Sequence, residues 1–351
     1  MKVLIVSAHA PPIICGIGDY SEILCRNLNE RGAEAFHVGL KKKTLGRFFK
    51  GIKLLVEILK INSHKNFDII HLQYEAFSFE QSFILPLYFL LQKKHFVITF
   101  HEVFQKNQFQ IWRDQALLKK CQAVIVNDNG RALALKKLAF KNIEKIHCIG
   151  VGTNLPVMAK KVISKDYLIG YFGFINAVKR LDILFESFHI IKQKLPKAIL
   201  RLVGDFDINS KEIRKWKHWI NENNLTDSIE WCGACEGLIA SQNIQECQLI
   251  ILPFSDGASP RRGSLQACLA LGKAILTSLP EFDEPTLAGL LMIKLTTPEK
   301  WAVKAIEVLQ NKELCLRLEE KAVAISQHYS WSLIADRHLR IYKSFPKMKD
   351  N

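Results

Sequence analysis

Short apolar, β-branched runs alternate with helical stretches from one end of the chain to the other. Ten of the runs read as strands: KVLIVSA, FDIIHLQ, HFVITFH, AVIVND and KIHCIG in the first half, and YLIGYFG, AILRLVG, IEWCG, LIILPF and KAILTS in the second. They are too short for helices and largely apolar without alternation, the mark of strands covered on both faces. Between them, DYSEILCRNLNERG closes on Gly32, and RLDILFESFHIIKQKLP stops at Pro196. Strands separated by helices require parallel sheets with right-handed crossovers. A length of 351 residues suits about two domains. The two series join near residues 150–165, a segment with Pro156 and a lysine-rich run. The expected fold is therefore α/β: two Rossmann-like, doubly wound domains facing a cleft, 1–155 and 156–332. Ligands of such sheets sit beyond the carboxyl ends of the strands.

Composition narrows the class. A hydrophobic content of 48% with 24% charged residues is that of a globular protein. The opening MKVLIVSA reads as a first buried strand rather than a cleaved leader. The longest apolar stretch, Phe83 to Leu91, falls short of the roughly 20 residues that span a membrane. A soluble or peripheral, cytoplasmic protein is expected. The nine cysteines are odd in number and show no framework, which fits a reducing compartment. Cys232 and Cys235 have CxxC spacing, but no second such pair completes a four-ligand site, so they are assigned no chemistry.

The net charge of +15 calls for an anionic partner. Part of it is concentrated between Lys41 and Lys65, which hold eight lysines or arginines and one acid, Glu57. Leu45, Phe48, Phe49, Ile52, Leu55, Val56 and Leu59 recur there at helical spacing. This basic amphipathic helix either turns its stripe to a core or lies on anionic lipid with Phe48 and Phe49 dipping in. Charge reversal at Lys50 and Lys53 separates the two. Nucleic acid is disfavoured, because no basic-aromatic interleaving or known binding motif is present.

Four stretches carry candidate chemistry. In CGIGDY, Gly16 and Gly18 precede a helix expected to begin near Asp19 and would let backbone N–H groups approach a phosphate, although two glycines alone favour the reading of a flexible turn. A nicotinamide fingerprint would need glycine at position 21, which is Ser21. His101 ends a predicted strand at the ligand-facing edge, beside the polar rim of His71, Gln73 and Glu75. In GFINAVKRLDIL, Gly173 ends a strand, and Lys179 and Arg180 open the next helix. In SDGASPRRGSLQACLALG, Arg261 and Arg262 do the same. Each cation alone reads as a solvated loop residue. Cations at a helix start oppose the dipole unless an anion lies between, and both together after strand ends point to a diphosphate.

These residues resemble the family 4 glycosyltransferases of GT-B fold. The resemblance runs over nearly the whole chain in order: GIGDYSEIL, HLQYEAF, VITFHE, IHCIGVGTN, YFGFINAVKRLDILFESF, LRLVGD and ILPFSDGASPRRGSLQACLALGKAILTS. The ending YSWSLIADRHLRIYKSF looks like the closing helices of that fold, with the last helix, about 333–351, returning to the first domain. The resemblance implies that Gly16 and Gly18 approach the donor diphosphate, His101 lies near the transferred sugar, and Lys179 binds diphosphate. Gly173, Asp256, Gly257, Ser259, Gly263 and Ser264 would complete the donor site. The sequence also departs from the family. Its usual arginine falls on Phe174, its glutamate pair on Ser259 and Ala267, and its glycine after the lysine on Arg180. Arg261 and Arg262 would replace the lost arginine, with Asp256 standing in for the first carboxylate.

The implied activity is a nucleotide-sugar glycosyltransferase of hexosyltransferase type. It would be retaining and metal-independent, with no cofactor beyond the donor. The acceptor would be a glycan or lipid-linked molecule in cell-surface polysaccharide or glycolipid synthesis. The missing glutamates leave a second reading open, a GT-B protein that binds a nucleotide or partner without turnover.

Overall fold

The computed structural model describes the chain except residues 14, 43–46, 75–83, 103–107, 138–142, 159–161, 177–178 and 347–351. It divides into two compact units, Met1–Gly152 with Ser330–Asn351, and Thr153–Tyr329. The ten predicted strands are present, together with two that the sequence pattern did not show, and the fold is α/β with two six-stranded parallel sheets.

In the first unit the order of elements is β1 (Lys2–His9), α1 (Gly16–Glu30), β2 (Glu34–Leu40), α2 (Arg47–His64), β3 (Ile69–Tyr74), α3 (Ile84–Leu91), β4 (His95–Phe100), α4 (Gln108–Lys120), β5 (Ala123–Val126), α5 (Asn129–Lys137) and β6 (Ile146–Cys148). The sheet order is β2-β1-β3-β4-β5-β6. Side chains alternate across it: Leu4 and Val6 join a core with Leu54, Ile58, Phe89 and Leu117, while Val3 and Ile5 join another with Tyr20, Leu24 and Leu28. That second layer is completed by the closing helix α12 (Trp331–Lys343), whose Ile334, Ala335 and Ile341 pack beside α1. Ser330 caps it, its hydroxyl accepting from Leu333 N at 3.3 Å.

The second unit runs β7 (Lys165–Phe172), α6 (Leu181–Lys194), β8 (Ile199–Val203), α7 (Lys211–Glu222), β9 (Ile229–Gly233), α8 (Gly237–Gln245), β10 (Cys247–Leu252), α9 (Gly263–Ala270), β11 (Ala274–Ser278), β12 (Leu291–Ile293), α10 (Pro298–Gln310) and α11 (Lys312–Ser326). Its sheet order is β12-β11-β10-β7-β8-β9. Both orders reverse once, between β1 and β3 in the first sheet and between β7 and β10 in the second. Those reversals are where an open parallel sheet opens a crevice for ligands.

One expectation is corrected. The helix after the glycine pair begins at Gly16 rather than near Asp19, so both glycines lie in its first turn. The basic helix α2 buries Leu54 and Ile58 under β2 and α3, while of the stripe read from the sequence Ile52 and Leu55 are half-buried and Val56 and Leu59 exposed, beside Lys53 and Lys60. The side chains of Phe48, Phe49 and Lys50, with Leu45 and Glu75, lie outside the described residues.

Candidate anion-binding site

The loop after β10 is shaped by what it packs against. Gly257 has φ +80°, and a Cβ there would fall 2.4 Å from the Leu279 carbonyl oxygen, so this position admits glycine alone. The turn delivers Asp256 to the two arginines that follow, and both Arg261 and Arg262 donate to its carboxylate. The Arg262 guanidinium also lies over the Phe254 ring, 4.8 Å from its centroid. Arg262 sits at the N-cap of α9, whose first turn contains no acid and no side-chain cap. The positive end of the helix and two guanidinium groups therefore share one place.

The loop after β7 faces it across the strand reversal. Gly173 has φ +137°, and a Cβ there would lie 3.6 Å from Ser264 Cβ in the first turn of α9. Beneath it, a Cβ on Gly204 would come within 2.1 Å of the Gly173 carbonyl oxygen. Lys179 is half-buried next, and its ammonium is held down to about 8 by burial and then by the Arg262 and Arg261 charges. Those causes place the three cations within electrostatic reach of one another. Tyr171, whose hydroxyl donates to the Phe174 carbonyl at 3.1 Å, lies within the field of Arg262 as well. A glycine floor, a helix start and three neighbouring cations are an arrangement that can hold a polyvalent anion.

Arg180 is not part of it. Its guanidinium pairs with Asp182, at 2.9 Å through Nε, and its backbone is left-handed at φ +46°. It occupies a conformation suited to the glycine that the resemblance led one to expect. Ser259 and Ala267 are buried, so no carboxylate stands at either place. Gly263 opens toward unfilled space.

The remaining candidates are in the first unit. A Cβ on Gly18 would meet the His9 carbonyl oxygen at 2.7 Å, so this glycine lets α1 press onto the end of β1; Gly16 faces open space. His101 follows β4, half-buried, with its Nε2 2.8 Å from Gln73 Oε1 and its ring edge-on to Tyr20. Burial, Arg131 and His338 hold its imidazole down to about 3, so it is neutral near pH 7. It can exchange hydrogen bonds there but carries no charge.

Sequence reasoning missed the partners of these groups. Arg131 donates to the His101 carbonyl at 2.6 Å and pairs with Asp128, and His338 and Tyr342 reach the same core from α12. It also missed Ser7, His37 and Glu22, where the imidazole lies 2.8 Å from both the hydroxyl and the carboxylate. Ser7 is fully buried, so this arrangement ties β1, β2 and α1 together rather than offering a nucleophile. All nine cysteines are free, and burial pushes the Cys232 thiol up, away from reactive thiolate. Among the described residues, no cluster of three His, Cys, Asp or Glu side chains could hold a metal ion. None of the helices described is long and apolar enough to cross a membrane.

The chain matches no protein-family model, and no curated protein matches it in sequence. Its fold is similar to solved glycosyltransferases of GT-B type. A sucrose-phosphate synthase from Thermosynechococcus elongatus aligns at TM-score 0.76 and 16% identity over 98% of each chain. HepE from Anabaena, in complex with UDP and glucose, aligns at 0.75 and 14% over 98% of this chain and 100% of its own. A glycosyltransferase from Rickettsia africae aligns at 0.75 and 17% over 97% of each.

Proposed function

We propose that the chain is a nucleotide-sugar-dependent glycosyltransferase whose donor diphosphate lies between the β7 and β10 loops. The observation that carries this reading is the convergence of Lys179, Arg261 and Arg262 at the sheet reversal, beside the start of α9. Breakage of the bond from the sugar's anomeric carbon to the diphosphate leaves the electron pair on the phosphate oxygen. Cations already in place stabilise that charge without reorganising, which is the main electrostatic lever for such a step. The acceptor hydroxyl loses its proton as the new glycosidic bond forms. The family 4 assignment, retention of configuration, a hexosyl donor and a glycan or lipid-linked acceptor belong to the same reading. It is supported by the ordered motif resemblance and by a fold shared with the UDP-bound HepE structure.

The experiment is turnover and donor binding of the Arg261→Ala/Arg262→Ala double variant. A panel of UDP, GDP, ADP and their sugars, read by thermal shift, first identifies the donor. Saturation at about 100 times Kd adds about 2.7 kcal/mol. The reading expects turnover to fall by about three powers of ten in the double variant, as loss of two preorganised charges implies. A second reading, nucleotide or partner binding without turnover, is favoured by the absence of carboxylates at Ser259 and Ala267. It predicts ligand-induced stabilisation with no sugar transferred.

For a lipid-linked acceptor, the reading places α2 at an anionic membrane surface, on the inner face of the membrane. Lys53 and Lys60 are exposed along it, as are Val56 and Leu59. Binding to vesicles of phosphatidylserine and phosphatidylcholine, lost with Lys53→Glu/Lys60→Glu, is the expected result. Equal binding by both proteins refutes it.

A further inference from the structure

Three helices cover one face of the first sheet, and their outer side is apolar at its centre. Leu54 and Ile58 of α2, Leu85 and Phe89 of α3, and Leu117 and Leu118 of α4 enter the same core, so the helices form one layer, with α3 packed between the other two. The sequence of α3, ILPLYFLL, holds no charged side chain. Leu85 and Phe89, four residues apart, face inward. Leu87 and Leu91, offset from them by two residues, emerge on the opposite side and are 55% and 71% exposed. A helix apolar all round is ordinarily surrounded by protein or lipid. Val56 and Leu59 of α2 and Trp112 of α4, the last 63% exposed, lie on the solvent side of the same layer. Exposed apolar residues scattered singly need no explanation, but five on three adjacent helices do.

Cations frame them. Lys53 and Lys60 lie three residues before and four after Val56, on one face of α2. Lys119 follows Trp112 by seven residues, about two turns of α4, and Lys93 is exposed two residues past Leu91. The acids of these helices offset little of that charge: Glu57 is half-buried and pairs with Lys60 at 3.5 Å, and Asp114 is buried with Arg113 and Tyr74.

We propose that the outer face of α2, α3 and α4 docks on an anionic lipid bilayer, with Leu87, Leu91 and Trp112 entering the headgroup boundary and Lys53, Lys60, Lys93 and Lys119 at the level of the lipid phosphates. This rests on the placement of α2 at a membrane given above and adds what anchors the chain there: α3 and Trp112 supply the apolar contact, while α2 supplies charge. A second copy of the chain would cover the leucines equally well, but a two-fold contact sets the same basic face against itself, and like charges oppose it. An anionic surface satisfies the leucines and the lysines together, and an indole, apolar with one N–H, suits the boundary.

The test is flotation of the whole chain, without donor or acceptor, on vesicles of phosphatidylserine and phosphatidylcholine. Leu87→Gln/Leu91→Gln keeps helix-forming side chains at exposed positions, so its melting temperature should match that of the wild type. Its vesicle affinity should fall about tenfold or more, as expected when two leucine side chains no longer leave water. Leu316→Gln, at a leucine 55% exposed on α11, should bind as the wild type does. Lipids brominated in their acyl chains should quench part of the tryptophan emission, and Trp112→Phe, which removes one of the six tryptophans, should lose that quenching. No binding by the wild type, equal affinity of the wild type and Leu87→Gln/Leu91→Gln, quenching unchanged in Trp112→Phe, or equally tight binding to pure phosphatidylcholine overturns the proposal. So does a dimer, seen by sedimentation without lipid, that Leu87→Gln/Leu91→Gln dissolves while neither protein binds vesicles. Binding by a chain that transfers no sugar refutes the transferase reading alone, and transfer by a chain that does not bind refutes the docking alone.

Discussion

Asp256 pairs with the two arginines to which the proposed function assigns the donor diphosphate, which makes Asp256→Asn the most informative single change. The carboxylate accepts from Arg261 and Arg262, with side-chain exposures of 37% for the acid and 22% and 15% for the arginines. Fully exposed pairs contribute ~0.2–1 kcal/mol, and buried hydrogen bonds to charged groups ~1.5–3 kcal/mol. Two half-buried contacts then put the cost of displacing the carboxylate at ~1–2 kcal/mol. At about 1.4 kcal/mol per power of ten, Asp256→Asn should bind UDP and inorganic pyrophosphate about 5- to 30-fold more tightly. Titration calorimetry at low salt reads this directly, and the gain should shrink at ~0.5 M salt as the charges are screened. The same variant should melt at lower temperature without ligand, because Arg261 and Arg262 lose their shared carboxylate. Unchanged or weaker pyrophosphate binding would refute the reasoning and show that Asp256 orders the arginines instead of competing with the ligand.

Three further outcomes are expected. Gly18→Ala should lower stability by about 1–3 kcal/mol in chemical denaturation, since its Cβ meets a backbone oxygen that cannot give way; Gly16→Ala should change it by less than about 1 kcal/mol. With Lys179 held at about 8, a bound diphosphate favours the ammonium, so binding takes up a proton. UDP affinity should therefore fall as pH rises from 7.5 to 9.5, and Lys179→Arg should flatten that dependence. The third concerns acid: burial holds His338 near 4, whereas the unfolded chain protonates its histidines near 6.5. The folded state is fully favoured above that value and loses about 1.4 kcal/mol per pH unit from this residue between about 6.5 and 4. His338→Gln should reduce the slope of denaturant midpoint against pH over that range.

The legible part of this fold is the part whose physics is local. Strands buried on both faces must be apolar along their length, which made the inner strands readable; the edge strands β6 and β9 were read from short apolar runs as well. β2 and β12 are edge strands. The first mixes Glu34, His37 and Gly39 among apolar residues, and the second has three residues, so neither forms a continuous run. Arg261 and Arg262 stood out because cations at a helix start need a reason, and the same argument misled at Arg180, whose reason is Asp182 two residues on. Gly18 read as a ligand-facing glycine, but its small size is used against the His9 backbone. The surroundings of His101 had no signal at all. Tyr342 and His71 meet across 271 positions of sequence, and nothing near either residue marks the pairing.

The first unit takes its last helix from sequence that follows the whole of the second. On a ribosome, domains normally settle in the order in which they emerge. Here residues 153–329 are all made before α12, so the second unit can fold while the first still shows the apolar face that Ile334, Ala335 and Ile341 will cover. His71 waits equally long for Tyr342. Completion of the first unit's core thus waits for α12, and a chain ending before Ser330 should carry a folded second unit behind an unfinished first.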